Sequence, residues 1–548
     1  MASLLLLGCA RKRAAPELSP PRSDVPAPAG LIAELALAHP ESTWRSLREL
    51  GAPASELLPA SFPLLASTLF GLPALGAGSL DQDVPMRGAL LLADGKPSGL
   101  LALHALDGRE LVASLTTGGK PPFRAERDAA SGITFLLLAT QATASGATLA
   151  VLDSYLLAGA NREIVIAAGP FVARTLSKHP APQADASLLV EQKALHELLV
   201  PALRARWGEY RGTLERDAQV ERKAHADRSA DFADPSAVLL GADAVFESFF
   251  AMLDSATRVE LALTATSAYC ALRLSVTPDP TGASKELAES LTGSDAHALL
   301  ELPDSTLFAL GVNRDVHAAQ NARDTAGDEW VRVLGDRLTA SDAKLVRGTF
   351  ADWELGRGSH TAYGLLAGPS LAGFVSGAVA EPAALERAGH GFLRLLTLPS
   401  VRAPLAQFIG TPSVVESKAG APGLARATVR FAAGAKGSKA SEPIEFVWRI
   451  DNARAFAAAG EHAEPALATL ESAARGEHAL GGMDGLAASV TRLGTQVTLF
   501  AYLDARALGA TTTAPVLLAF GKQNGLPTVY LELSKGALAA GIQRLGEH

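Results

Sequence analysis

The chain has 548 residues, of which 48% are apolar, 5% aromatic and 19% charged, with a formal net charge of -8. That length exceeds a single core and predicts about two to four domains, while the composition excludes a disordered chain. The absence of a long basic stripe argues against nucleic acid. Two cysteines, Cys9 and Cys270, exclude a disulfide framework and a cysteine-rich metal site.

The chain opens on an apolar run, Leu4 to Leu7, that ends in Gly8 and Cys9. Residues 10–30 are rich in Pro, Ala, Arg and Ser and read as an extended tether. From Leu31 the spacing of Leu31, Leu35 and Ala38 predicts a helix, with helical or loop-rich sequence continuing to Pro85. Residues 86–115 then predict a strand meander, with turn signals at Asp94-Gly95 and Asp107-Gly108. Residues 132–140 and 147–160 add strands, the second with a tight hairpin at Asp153-Ser154. Asn161 is placed to cap a helix, with Glu163 in its first turn.

Residues 186–199 run from strand into helix, and Leu203, Trp207, Tyr210 and Leu214 extend an amphipathic stripe. The basic cluster at 204–228 is balanced by Glu and Asp and reads as a solvated face. A domain boundary is expected at Asp234-Pro235, giving units 31–234 and 235–548, the second divisible near 434–443. Beyond it come a helix at 244–253, a strand pair at 258–279 and a helix with Ser284 as its candidate cap. Residues 305–320 read as strand then helix, and 360–368, 425–434 and 444–451 as strands. Residues 452–476 predict one helix broken or restarted at Pro465.

Strand-into-helix phrases recur at 187–198, 237–248, 306–317 and 498–509, and the hairpin at 89–106 is echoed at 515–533. The fold class is therefore α+β: antiparallel-rich sheets covered by helices, in two halves that suggest a duplication. Any strand-turn-helix in an Ala/Leu-rich chain produces such echoes, so the duplication and its alternative both stay open.

Leu6, Leu7, Gly8 and Cys9 match the Leu-x-(Gly/Ala)-Cys box of bacterial lipoprotein signals. The stretch 1–9 resembles a truncated signal of that family. The resemblance implies a diacylglycerol on Cys9, residues 10–30 as spacer, and a membrane partner held through the lipid. Ala10 after the cysteine implies outer-membrane delivery, at the periplasmic face of the cell envelope. The body resembles uncharacterised Ala/Leu-rich envelope lipoproteins of Gram-negative bacteria, through phrases such as residues 298–315. That resemblance supplies a fold class and a location but no activity. No apolar stretch reaches the roughly 18–20 residues that span a bilayer, so the body is expected to be soluble.

Chemistry is sparsely signalled. The best nucleophile candidate is Ser370, in Gly368-Pro369-Ser370-Leu371-Ala372, with His390 downstream. A hydrolase elbow needs glycines on both sides of a strand-to-helix turn, and here Ala372 takes the second glycine's place. No HExxH, CxxC or phosphate-loop motif occurs, so neither metal nor cofactor is expected. Asp352 and Glu354 flank Trp353 and share a face only if the segment is a strand; a solvated pair is the expected outcome. The five tryptophans are widely spaced and predict no stacking platform.

The expectation is a lipid-anchored envelope protein that acts as a non-enzymatic binding, scaffolding or assembly factor with an envelope protein partner. The first alternative is a periplasmic carrier of lipid or another apolar ligand, which predicts an apolar pocket of several hundred Å³. The second is a serine hydrolase using Ser370.

Overall fold

A computed structural model describes residues 23–546, apart from 52–57, 74–75, 77, 94, 118–119, 139–146, 225–234, 317–325, 335–337, 403–410, 419–422, 433–442 and 511. Leu6, Leu7, Gly8 and Cys9, most of the tether, Asp234 and nearly all of 434–443 lie outside the described residues.

The fold is α+β, built on one 20-stranded sheet in which every pairing is antiparallel. The first half holds β1 (Leu31–Leu37), β2 (Met86–Ala93), β3 (Lys96–His104), β4 (Phe123–Arg127), β5 (Thr134–Leu138), β6 (Thr148–Leu152), β7 (Tyr155–Gly159), β8 (Ala186–Glu191), β9 (Ala256–Ala265) and β10 (Tyr269–Pro278). The second holds β11 (Thr306–Asn313), β12 (Arg357–Leu366), β13 (Ala372–Val379), β14 (Thr411–Lys418), β15 (Leu424–Ala432), β16 (Ile444–Ile450), β17 (Arg454–Gly460), β18 (Gln496–Asp504), β19 (Pro515–Gln523) and β20 (Leu526–Ser534).

In space the first half runs β4-β5-β6-β7-β3-β2-β1-β8-β9-β10. The second runs β14-β15-β16-β17-β13-β12-β11-β18-β19-β20, the same order with every strand advanced by ten. The halves join where β10 meets β20, from Tyr269 opposite Ser534 to Ser275 opposite Thr528. Equivalent strands meeting antiparallel define a pseudo-two-fold axis. The duplication is therefore a matter of topology, and it divides the chain between β10 and β11. Asp234-Pro235 falls within a connection whose two flanking strands, β8 and β9, pair with each other.

The helices repeat as well. Between first and second strands lie α1 (Pro40–Leu50) and α2 (Phe62–Phe70) in one half. After the third strand comes α3 (Gly108–Thr116), and after the seventh α4 (Arg162–Arg174). The insertion between β8 and β9 is the helical pair α5 (Val200–Ala224) and α6 (Pro235–Asp254), followed after β10 by α7 (Ala283–Ser290). In the second half α8 (Asp328–Leu334) and α9 (Ala340–Gly356) correspond to α1 and α2, and α10 (Pro382–Leu395) to α3. Likewise α11 (Ala463–Ala474) corresponds to α4, with α12 (Leu486–Leu493) added and α13 (Lys535–Gly546) closing the described chain.

Within each half, strand–helix–hairpin occurs twice, as β1-β2-β3 and β8-β9-β10, then β11-β12-β13 and β18-β19-β20. Three of the strand phrases seen in sequence are the leading strands β8, β11 and β18, and the hairpin echo matches β2-β3 with β19-β20. The phrase at 237–248 is different: it lies inside α6.

Several local expectations are corrected. Leu31–Leu37 is a strand between β2 and β8 rather than a helix. A strand apolar on both faces shows no alternation, so its Leu/Ala run matches helical spacing equally well. Asp107-Gly108 starts α3 rather than a turn: Asp107 Oδ1 accepts from the amides of Arg109 (2.8 Å) and Glu110 (3.2 Å). Arg454–Gly460 is β17, and the helix begins only at Ala463, with Pro465 in its first turn. Ser284 lies inside α7, whose cap position is Gly282, and its hydroxyl donates to Ser255 O at 2.8 Å. The end of the tether is docked: Val25 N–H donates to Thr175 Oγ1 at 2.8 Å beyond α4.

Other expectations hold. Asn161 Oδ1 accepts from Ile164 N–H at 2.9 Å and caps α4. Asp153, at φ 56°, makes the β6–β7 turn. Trp207 stacks on Phe246 across α5 and α6, with ring centroids 3.9 Å apart.

Candidate ligand-binding site

The side chains of a strand alternate between two faces. In the second half one face is the main core. There Phe500, Tyr502, Val447 and Phe456 lie buried under α11 and α12 with Leu467, Leu470, Leu486 and Val490.

The other face behaves differently. Following cross-strand partners, one row reads Leu263, Leu272, Leu531, Leu518, Ala501, Leu310, Tyr363, Val375, Ala457, Trp448. It continues from Leu263 through Ala186, Leu37 and Met86 into the first half. No member is charged. In the middle the row is bare: Leu272 is 36% and Leu518 38% exposed, and Leu261, Phe308 and Leu365 on the same face are also exposed. Contiguous apolar surface of this kind is uncommon on a monomer. A hollow of about 310 Å³ among Leu35, Leu188, Leu261 and Leu272 lies on it.

The two ends of this face are covered, and covered unequally. In the first half α2 and α3 seal it: Leu111 and Leu115 are fully buried against Leu103, Leu149, Leu156 and Ala158. In the second half the corresponding helices, α9 and α10, leave a cavity of about 640 Å³ above β12, β13, β16 and β17. Its floor is made of small residues, Gly373 and Gly377 on β13 with Ala455, Ala457 and Ala459 on β17. A Cβ at Gly373 would have only Ala459 O within reach, at 3.9 Å. Aromatic walls come from Trp353, Tyr363, Phe392, Phe446 and Trp448. On α10, Gly389 faces Trp448, and Gly391 lets the helix approach Thr349 of α9 closely.

Polar groups gather at the end where β12 begins. Arg357 lines the cavity. Its Nη2 donates to Glu354 Oε1 (2.6 Å) and Oε2 (2.8 Å), and Arg314 Nη1 donates to Glu354 Oε2 at 2.6 Å. Arg314 also donates to the carbonyls of Glu354, Arg357 and Gly358. Burial and the nearby Arg357 guanidinium pull the Arg314 guanidinium below its ordinary value, and burial pushes the Tyr363 phenol up.

Glu354 is thus not the solvated carboxylate expected: it is 18% exposed and holds two arginines. Asp352 points elsewhere, to Arg387 at 2.7 Å, as i and i+2 on a helix must. Trp353 and Trp448, unrelated in sequence, meet across one cavity. No motif announced this, because its floor is a run of alanines that reads as helix.

Ser370 sits in the hairpin loop between β12 and β13, followed by a strand and not a helix. Its Oγ has no hydrogen-bond partner among the described residues, and His390 bonds instead to Glu416 at 2.8 Å. The nucleophile-elbow geometry is therefore absent at this serine. Cys270, on β10, is half-buried, and burial pushes its thiol up, away from reactivity. Among the described residues no group of His, Cys, Asp and Glu could hold a metal, and no helix is long and apolar enough to cross a membrane.

No family model and no curated protein matches the chain. One solved structure, crystal form I of TP0453, is similar over 50% of this chain and 86% of that chain, at 8% identity and a TM-score of 0.22. A likeness so loose carries no argument about this site.

Proposed function

We propose that the protein is a non-enzymatic binder and carrier of acyl-chain lipids. The observation that carries this is the apolar cavity opposite Trp353 and Trp448, on a sheet face that stays apolar across both halves. Its volume is that of a small-molecule site. Its floor offers no unpaired backbone, since the main chain of β12, β13, β16 and β17 is engaged in the sheet. An occupant is therefore held by apolar contact, as a hydrocarbon chain would be.

The cavity tryptophans supply the test. A dibrominated stearoyl chain should quench Trp353 and Trp448 fluorescence on binding. Ala457→Phe, which adds bulk to the floor, should reduce that quenching at least about tenfold in affinity without lowering the unfolding temperature. Unchanged tryptophan emission at saturating acyl ligand would sink the reading.

The envelope setting is part of the same proposal. Diacylglycerol on Cys9 would hold the carrier at the periplasmic face of the outer membrane, beside its lipid source. Native protein should carry that lipid by mass spectrometry, and Cys9→Ala should release it from membranes. Membrane-free native protein with an unmodified Cys9 would refute the anchor while leaving the carrier reading open to its own test.

A further inference from the structure

We propose that the ligand is an anionic single-chain amphiphile, its acid head held by Arg357 and Tyr363 and its tail running along β13 and β17. This rests on the acyl-carrier reading above. The lining is polar at one end only. Arg357 stands where β12 enters the cavity, 6.0 Å from the Trp353 ring, and Tyr363, level with Val375, interacts with the same guanidinium. From there Gly377, Val375 and Gly373 lead along the floor, roughly 13 Å of strand. One polar end and a long apolar trough match one head group and one tail.

The sign of the head follows from the charge count. Two guanidiniums, Arg314 and Arg357, share one carboxylate, Glu354. One positive charge is left over in a site where Arg314 is 10% and Arg357 17% exposed. Arg314 is saturated by Glu354 and three carbonyls. Arg357 lines the cavity itself, its guanidinium bonded to Glu354 and interacting with the Tyr363 hydroxyl. A half-neutralised guanidinium at the wall of an apolar cavity is costly to cover with a tail unless an anion meets it. A carboxylate or phosphate monoester accepts such an N–H, with the Tyr363 hydroxyl as second donor. An alcohol or ester head leaves the charge unmet.

The test compares two probes with one tail: dibromostearic acid and its methyl ester, titrated into the full chain by tryptophan quenching at neutral pH. The acid is expected to bind about tenfold or more tightly than the ester. Arg357→Gln should bring the acid down to the ester's affinity. Arg357→Lys should recover part of the difference, and Tyr363→Phe should lower acid binding alone. Equal binding of acid and ester by the unaltered protein would overturn the head-group assignment and leave the carrier reading standing. Quenching by neither probe would overturn both. Should Arg357→Gln fail to fold, the acid–ester comparison in the unaltered chain and in Tyr363→Phe decides alone.

Discussion

At the scale of single residues, the best-built polar contact lies on the opposite face of the seam. Arg492 of α12 donates to Glu532 Oε1 (2.7 Å) and Oε2 (2.9 Å), and Tyr530 Oη donates to Oε2 at 2.6 Å. The same guanidinium sits 4.0 Å from the Tyr269 ring on β10, so one arginine touches both seam strands. Glu532 is buried, and breaking such a pair strands its charge. Arg492→Ala should cost about 3 kcal/mol in urea unfolding at neutral pH. Burial alone pushes the Glu532 carboxyl up, but hydrogen bonds from Arg492, Ser489 and Tyr530 outweigh it and leave it below the usual carboxylate range. A depressed folded pKa adds stability above the unfolded value, about 4.3, and that stability is lost as pH falls through the folded one. Glu532→Gln should therefore flatten the acid limb of the stability–pH curve. An acid limb unchanged by the substitution would show that other carboxylates dominate it.

At the scale of elements, α5 and α6 are an addition to one copy of the repeat. The equivalent strands β18 and β19 are joined without a helical pair, by Ala505 to Ala514. The pair closes on itself through Trp207 and Phe246, the Trp207 Nε1–Asp243 bond at 3.1 Å and the Arg211–Asp243 pair at 3.1 Å. Among the described residues its base enters a core, through Val200, Phe250, Met252 and Leu253, with Leu203 and Trp207 packed against it. Shortening the hairpin beyond Trp207 and Phe246 to a brief loop should keep cooperative unfolding and sheet content, read by circular dichroism. Loss of the cooperative transition would mean that the hairpin is structural.

The same scale explains what could be read in advance. Hairpins with local turn signals, β2-β3 and β6-β7, the strand pair β9-β10, and helices with a cap or a stripe, α4 and α5, were legible because their determinants are neighbours in sequence. β1 and β17 were not, since Leu31–Leu37 and Arg454–Gly460 suit helix or strand and only their sheet partners decide. The cavity was legible as an expectation of an apolar pocket but not as residues. Trp353, Tyr363 and Trp448 converge only once β16 and β17 have paired with β13.

At the scale of the whole molecule, the β10–β20 seam removes two edges that the separate halves would expose. Unpaired edge strands recruit other chains. A fragment ending after α7 should accordingly dimerise through β10 in imitation of the seam, giving twice its mass in sedimentation. A monodisperse monomer would argue that the seam contributes little. Among the described residues, the outer edges left on the intact sheet are β4 and β14.

Carrying both copies on one chain has a further effect. In a homodimer every substitution is made twice, so a pocket opened in one subunit opens in the other. Here the face sealed by Leu111 and Leu115 in one half could stay solid while alanines and glycines hollowed out its twin. The fused pair gains a direction: a sealed end and a hollowed end on one apolar face.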